Sequence, residues 1–135
     1  MTERPLSDHA GVVAQHAHGV ADSLLPAQRR AVEADGGVAV VAGAGTGKTH
    51  MLAHRYLKHV QDGLDPLAIV AVTFTERAAA ELRARIRQLL ARSLPPGSTA
   101  VLTVEAAQIS TVHALAQRIC QEFPEQAGVP PDFTI

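Results

Sequence analysis

A glycine-rich segment in the first half of the chain carries the residues best suited to chemistry. Residues 38–42 are a short apolar run, and Gly43-Ala-Gly-Thr-Gly-Lys-Thr49 follows it directly. Glycines allow backbone N–H groups to converge on an anion without obstruction by a Cβ atom, and a helix that begins there adds its positive end. A lysine followed by a hydroxyl residue supplies a cation for phosphate oxygens and an oxygen ligand for Mg²⁺. The segment therefore predicts a phosphate-binding loop, or P-loop, that holds a nucleoside triphosphate.

Within this loop we expect Lys48 to reach the β- and γ-phosphates and the Thr49 hydroxyl to bind Mg²⁺, with ATP as the nucleotide. The strict pattern has glycine five residues before Gly47, where this chain has Ala42, a small residue that we treat as a variant. The alternative is a turn that joins a strand to a helix without a ligand. The Lys-Thr pair, the preceding apolar run and the helical pattern that follows favour nucleotide binding. The predicted cofactor-binding residues of the loop are Ala42, Gly43, Ala44, Gly45, Thr46, Gly47, Lys48 and Thr49.

Length, charge and cysteine content limit the classes of protein to which the chain can belong. With 135 residues the chain is one domain long, and its formal net charge of −1 provides no overall field that would draw it onto nucleic acid. Any contact with DNA must therefore be local. The single cysteine, Cys120, excludes an internal disulfide and suits a reducing compartment. Because the sequence displays neither a membrane span nor a signal peptide, we expect a cytoplasmic protein with no membrane partner.

Three elements are predicted around the P-loop. A helix begins at Pro26, which suits a first helical turn, and ends near the glycines at positions 36 and 37. Residues 49–61 have the apolar spacing of a second helix, and residues 68–74 form a continuous apolar run, typical of a strand buried on both faces. With the run at 38–42 taken as a strand, this order predicts a parallel β-α-β unit.

Gln28 lies one turn into the first of these helices, shortly before the P-loop. Its amide carries both a donor and an acceptor, and the edge of adenine needs this pair for recognition. A solvated surface glutamine is the alternative, and spacing alone favours that alternative.

The second half of the chain is predicted to alternate helices with short strands. Residues 75–92 give the longest helical segment, residues 112–123 give another, and residues 101–105 and 108–111 are β-prone. Cys120 is expected to serve packing. The helix at 75–92 also carries the most basic surface of the chain, which either is simply solvated or contacts phosphates; its arginines are Arg83, Arg85, Arg87 and Arg92.

The first 23 residues are rich in His, Ala, Gly and Val without sustained periodicity, and they predict a loosely ordered lead-in. Three histidines there, His9, His16 and His18, have no accompanying cysteine or carboxylate cluster, so a metal site is not favoured.

Four motifs in order carry a family resemblance that runs from about residue 24 to the C-terminus. They are Leu24-x-Pro26-x-Gln28, the P-loop, Thr73-Phe-Thr-Glu-Arg-Ala-Ala79 and Ile109-Ser-Thr-Val-His113-Ala-Leu. Together they resemble the Q motif and motifs I, Ia and Ib of the UvrD/Rep-type helicases of superfamily 1A. The tail, Phe123-Pro-x-x-Ala-Gly128, is similar to the nuclease-helicase branch related to bacterial exonuclease V.

This resemblance implies an α/β fold, with residues 24–135 forming an incomplete RecA-like P-loop NTPase domain in which helices flank a parallel sheet. It implies that Gln28 recognises adenine and that single-stranded DNA is a partner. An aromatic side chain at a strand's carboxyl end can stack on any base, while hydroxyls can hold phosphates. As alternatives, Phe74 belongs to the core and Thr73 or Thr75 caps a helix. The residues implied to face DNA are Thr73, Phe74, Thr75, Thr111 and His113.

Two departures from the family pattern bear on activity. His50 stands where many family members have an arginine, and nucleotide affinity is the property that this change affects. Hydrolysis of ATP also needs a carboxylate for Mg²⁺ and a residue that orients water, which the family supplies from an Asp-Glu pair. No Asp-Glu pair occurs in these 135 residues, and Glu105 is discounted because it precedes the position of motif Ib. No catalytic residue is therefore assigned, and the chain alone is not expected to unwind DNA.

Three functional hypotheses follow. The first is the N-terminal, ATP-binding portion of an ATP-dependent DNA helicase that acts on single-stranded DNA in replication, repair or recombination. The second is a stand-alone nucleotide- or DNA-binding module that modulates a full-length helicase, and the third is another P-loop enzyme such as a small kinase. A sheet with uncovered apolar faces should seek either the remainder of a motor or a second copy of the chain.

Overall fold

A computed structural model describes residues 24–130 and 132–134, and these residues combine helices with a small parallel sheet, as an α/β fold requires. The predicted lead-in and its three histidines lie outside the described residues. In chain order the helices are α1 (Pro26–Glu33), α2 (Lys48–Gln61), α3 (Glu76–Ser93), α4 (Thr99–Thr103), α5 (Val112–Glu122) and α6 (Pro124–Ala127). The strands are β1 (Val70–Thr73) and β2 (Gln108–Thr111), and 3₁₀ turns occupy Pro66–Ala68 and Val104–Ala106.

The two strands pair in parallel, from Val70 opposite Gln108 to Thr73 opposite Thr111. A parallel pair requires a crossover connection, and α3 provides it. The described β-α-β unit is thus β1-α3-β2. The unit predicted around the P-loop is not present among these residues, because the run at 38–42 joins no sheet.

The predicted strand at 38–42 is the first correction. A strand is stable only when its backbone N–H and C=O groups have a neighbour to pair with, and within residues 24–130 the only sheet is the β1-β2 pair. Val41 is fully exposed there. The prediction that residues 68–74 are buried on both faces is wrong for the same reason, since Val70 and Val72 lie on a strand with a single neighbour and remain exposed.

The second correction concerns residues 101–105, predicted as a strand and found as the end of α4 followed by a 3₁₀ turn. Val101 packs against the core and Val104 is fully buried. Residues three apart share one face of a helix, whereas they lie on opposite faces of a strand. Helical geometry therefore turns both valines toward the core, and this packing overrides their preference for strands.

The core forms where α2 and α3 pack together and against β2. Leu82, Ile86 and Leu90 are spaced four residues apart on α3 and are almost completely buried. Tyr56 and Leu57 of α2 belong to the same core cluster, as do Val104 and Ile109.

A second, smaller cluster attaches α1 to α2, and it consists of Leu24, Ala31, Val32 and Met51. It holds the N-terminal helix beside the helix that begins at Lys48. None of the helices in the described ranges combines the length and apolar character that a membrane span requires.

Candidate functional site

The P-loop enters α2 through two glycines with left-handed backbone. Gly45 has φ of 73° and Gly47 has φ of 82°, a region that other residues adopt only with strain. A Cβ atom at Gly47 would also lie 2.9 Å from Nε2 of Gln28. The conformation therefore favours glycine at position 47, and a larger residue there would also displace the end of the Gln28 side chain.

Ala42 fits the loop in spite of its departure from the pattern. No non-glycine residue in the described ranges has positive φ, so position 42 does not need the freedom of glycine. The Ala42 and Gly43 carbonyls accept hydrogen bonds from Lys48 Nζ at 2.9 and 2.8 Å. The Thr46 hydroxyl donates to the Gly43 carbonyl at 2.7 Å. These hydrogen bonds stabilise the loop from within, and they hold the Lys48 ammonium against its carbonyls.

The first turn of α2 presents the donors that an anion needs. The first N–H groups of any helix lack partners within the helix, and Gly47 at the N-cap has no side chain to satisfy them. The first turn contains no acidic residue. Within residues 24–130 the Thr49 hydroxyl has no hydrogen-bond partner, and it remains available as an oxygen ligand. This donor set fits a Mg²⁺-bound triphosphate.

Gln28 contacts the P-loop directly. Its Nε2 donates to the Thr46 carbonyl at 2.9 Å, and its Oε1 accepts from the Leu25 backbone N–H at 2.9 Å. The side chain is therefore not the freely solvated glutamine of the alternative, since it joins α1 to the loop. Recognition of adenine by Gln28 stays a prediction.

Arg55 contributes to the structure beside the P-loop, and the sequence analysis assigned it no role. Its Nη1 donates to the carbonyls of Ala31, Val32 and Ala34 at 2.6, 3.3 and 3.1 Å, and its Nη2 donates to the Gly36 carbonyl at 2.9 Å. The guanidinium thereby closes the C-terminal end of α1. Main-chain carbonyls occur at every residue, so the sequence carries no specific signal for this contact.

Two histidines lie one turn apart at the start of α2. The rings of His50 and His54 meet edge to face, with centroids 4.4 Å apart. His54 is only 4% exposed, and its Nε2 has no partner among the described residues. Burial lowers the pKa of His54, and nearby His50 lowers it further. His54 is therefore neutral near pH 7, and it adds no positive charge to the start of the helix.

The residues implied to face DNA gather at the carboxyl ends of the two strands. Thr73 and Thr111 lie directly opposite each other in the ladder. Phe74 follows β1 and is 90% exposed, so the alternative that it belongs to the core is wrong. Thr75 caps α3, because its Oγ1 accepts from the Ala78 N–H at 3.1 Å. The Thr73 hydroxyl donates to the Thr75 carbonyl at 3.0 Å.

Thr111 is buried at this edge, and its hydroxyl already has two partners. It donates to Oε1 of Glu76 at 3.0 Å and accepts from the Ala114 N–H at 3.1 Å. His113, two residues on, is exposed in the first turn of α5. Glu76 thus links the start of α3 to the start of α5, and it holds the two segments side by side.

The basic face of α3 is largely engaged in structural contacts. Arg85 pairs with Glu81 at 3.0 Å, and Arg87 pairs with Glu105 at 3.1 Å. Arg83 donates to the Ile109 carbonyl at 2.5 Å. These contacts favour a structural role for this face over a phosphate-contacting one.

Comparison with known proteins assigns the chain to a family. The family model for the UvrD/REP helicase N-terminal domain matches residues 24–135, and the chain belongs to this family. It is 41% identical over 117 residues to DNA helicase II of Escherichia coli, an alignment that covers 84% of this chain and 15% of that protein.

Two other relatives agree with this assignment. The ATP-dependent DNA helicase PcrA of Leuconostoc citreum is 40% identical over 102 residues, which are 75% of this chain and 12% of the relative. One subunit of the ATP-dependent helicase/nuclease of Pelotomaculum thermopropionicum is 39% identical over 118 residues, 80% of this chain and 9% of the relative. The chain therefore spans less than a sixth of the length of these relatives.

Proposed function

We propose that residues 24–135 form the ATP-binding part of a RecA-like P-loop motor domain of an ATP-dependent DNA helicase. One observation carries this proposal: left-handed glycines deliver the loop to the start of α2, where the first-turn N–H groups, Lys48 and Thr49 meet. The P-loop class itself follows from the family. The names of the relatives, which include ATP-dependent DNA helicases, supply the reaction class.

The Thr49 hydroxyl would hold the Mg²⁺ of bound Mg²⁺-ATP, and the first-turn N–H groups would hold its phosphates. The Lys48 ammonium, now bound to two neutral loop carbonyls, would supply the positive charge for phosphate oxygens. Gln28 lies against the loop, and its remaining amide hydrogen is available for adenine.

Single-stranded DNA is the proposed partner at the ends of the strands. The exposure of Phe74 supports this role, because an aromatic ring in water can stack on a base without regard to sequence. Thr73 and Thr75 flank it in the chain, exposed His113 follows the neighbouring strand, and the buried Thr111 hydroxyl binds Glu76 at this edge.

Hydrolysis is assigned to the longer helicase and not to these residues alone. The 135 residues contain no Asp-Glu pair that could hold Mg²⁺ and orient water. We therefore expect this chain to bind ATP with negligible turnover.

Calorimetric titration with Mg²⁺-ATP tests the nucleotide site. We expect Lys48→Ala to weaken binding by at least about tenfold, since a charge-assisted contact to phosphate is lost. Lys58→Ala is the matched control, because Lys58 lies on the same helix and pairs with Asp62 at its other end. Equal binding by wild type and Lys48→Ala, or no binding by wild type, would reject the nucleotide site.

Fluorescence anisotropy with a labelled oligothymidylate tests the DNA site. Phe74→Ala should weaken binding by roughly tenfold or more, the usual loss of one base stacked on an aromatic ring. Phe123→Ala removes another partly exposed phenylalanine, at the end of α5, and should leave binding unchanged. A Phe74→Ala variant that binds as well as wild type would exclude stacking at this position.

A further inference from the structure

The guanidinium of Arg55 forms the most extensive side-chain contact in the described part of the chain. Four main-chain carbonyls, from Ala31 to Gly36, accept its N–H groups at 2.6 to 3.3 Å. Carbonyls at the end of a helix lack intrahelical partners and carry the negative end of the helix dipole. A planar cation with five donors on three nitrogens reaches several of them together, whereas a lysine presents three donors from a single nitrogen.

Helix α1 is consequently held at both ends by the P-loop and the helix α2 that follows it. Near its N-terminus, Gln28 donates to the Thr46 carbonyl of the P-loop. Beyond its C-terminus, Arg55 of α2 binds the turn that leads into residues 38–42. Between these two contacts, Ala31 and Val32 pack on Met51 of α2. Because the run at 38–42 has no sheet partner within residues 24–130, side-chain hydrogen bonds to the main chain fix the approach to the loop.

We propose that Arg55 is a positioning residue for the nucleotide site, one that acts through α1 and Gln28 to fix the P-loop. The effect on nucleotide affinity rests on the proposed function, whereas the effect on loop conformation does not. When the guanidinium is absent, the end of α1 loses its partners and the helix moves relative to α2. Gln28 then no longer reaches the Thr46 carbonyl, and the loop loses its contact with α1.

Nuclear magnetic resonance of the nucleotide-free chain tests the link between Arg55 and the loop. In Arg55→Lys we expect amide exchange in residues 29–33 to accelerate by about tenfold, the loss of one charge-assisted hydrogen bond. The Gln28 side-chain NH₂ and the Gly45 and Gly47 amides should shift as well. Arg92→Lys is the control, because Arg92 has no partner among residues 24–130. Changes confined to α1, with Gln28 and the loop unmoved, would overturn the proposal.

Nucleotide binding supplies the second readout. Arg55→Lys should lower the affinity for ATP by about tenfold. The double variant Arg55→Lys/Gln28→Ala should bind ATP no worse than the single variant with the lower affinity, since both residues act through one contact. Independent, additive losses would contradict action through Gln28. If Arg55→Lys fails to fold, Arg55→Gln keeps an amide donor but is shorter and uncharged, and it should shift the same signals in the same direction and at least as far. Wild type that binds no ATP, with the loop shifts as expected, would reject the proposed function and retain the role of Arg55.

Discussion

Two regions of this small domain are stabilised in different ways. The α2-α3-β2 region buries apolar side chains from successive turns, and Leu82, Ile86 and Leu90 are almost inaccessible to solvent. The P-loop region, from Val38 to Gly47, leaves its valines exposed and relies on hydrogen bonds from Gln28 and Lys48 to its main-chain carbonyls, while Arg55 binds carbonyls just before this region. Apolar burial therefore stabilises the α2-α3-β2 region, while hydrogen bonds fix the conformation of the P-loop region.

This difference suits the proposed function. A loop that binds and releases nucleotide needs a defined shape with exchangeable contacts, and hydrogen bonds to carbonyls meet both needs. A groove of about 360 Å³ lies between α2 and β1, and Leu52, Val70 and Val72 are among its lining residues. These uncovered apolar side chains agree with the expectation of a covering partner, and the identity of that partner stays a prediction.

The largest expected effect on stability lies in the buried region. Leu90→Ala should lower the free energy of unfolding by about 2–5 kcal/mol, because it leaves a cavity at a fully buried site. Val41→Ala in the P-loop region should change it by less than about 0.5 kcal/mol. Urea unfolding of both variants measures the contrast. Equal losses would show that residues 38–42 are buried in solution.

A smaller loss is expected for Tyr56→Phe. The buried Tyr56 hydroxyl donates to the Pro66 carbonyl at 3.0 Å, and burial with nearby Asp65 raises the pKa of Tyr56 to about 12. Removal of the hydroxyl leaves that carbonyl with only the Ile69 N–H, at 3.3 Å, and should cost about 1 kcal/mol. Unfolding in urea at pH 7 measures this loss. An unchanged midpoint would show that water replaces the phenol.

The smallest expected effect is a dependence of stability on pH. Since burial lowers the pKa of His54 below 6.5, the unfolded chain binds this proton more readily than the folded chain does. Stability should therefore fall as pH drops through 6.5, with a melting temperature at pH 5.5 about a few degrees below that at pH 7.5. His54→Leu should remove much of this slope, and the control His59→Leu should keep it. A slope that persists in His54→Leu would assign it to other groups.

Local sequence patterns predicted much of this architecture. The periodicity of residues 75–92 and 112–123 predicted α3 and α5, and the four motifs predicted the family. Helices contain their own hydrogen bonds, so their pattern is visible in the sequence. The strand predictions at 38–42 and 101–105 were wrong because pairing and burial depend on residues distant in the chain.

The sequence also did not predict the contacts that shape the site. Gln28 was singled out for its amide, yet its contact with the Thr46 carbonyl depends on how α1 packs. Arg55 was not assigned a role, since it binds main-chain carbonyls, and the partner of Glu76 is a hydroxyl 35 residues away. Side-chain chemistry predicts what a residue can bind, whereas the fold decides which partner it meets.

The proposal that the loop is already shaped for nucleotide can be tested by titrating the ¹⁵N-labelled chain with Mg²⁺-ATP. We predict that the largest amide shifts occur at Gly45, Gly47 and Thr49, with smaller shifts at Gln28 and none at Ile109 in β2. Magnesium with inorganic phosphate should move the loop amides but not Gln28, since phosphate carries no base. Absence of loop shifts at saturating ATP, or shifts spread evenly over α3 and β2, would contradict a nucleotide site at this loop.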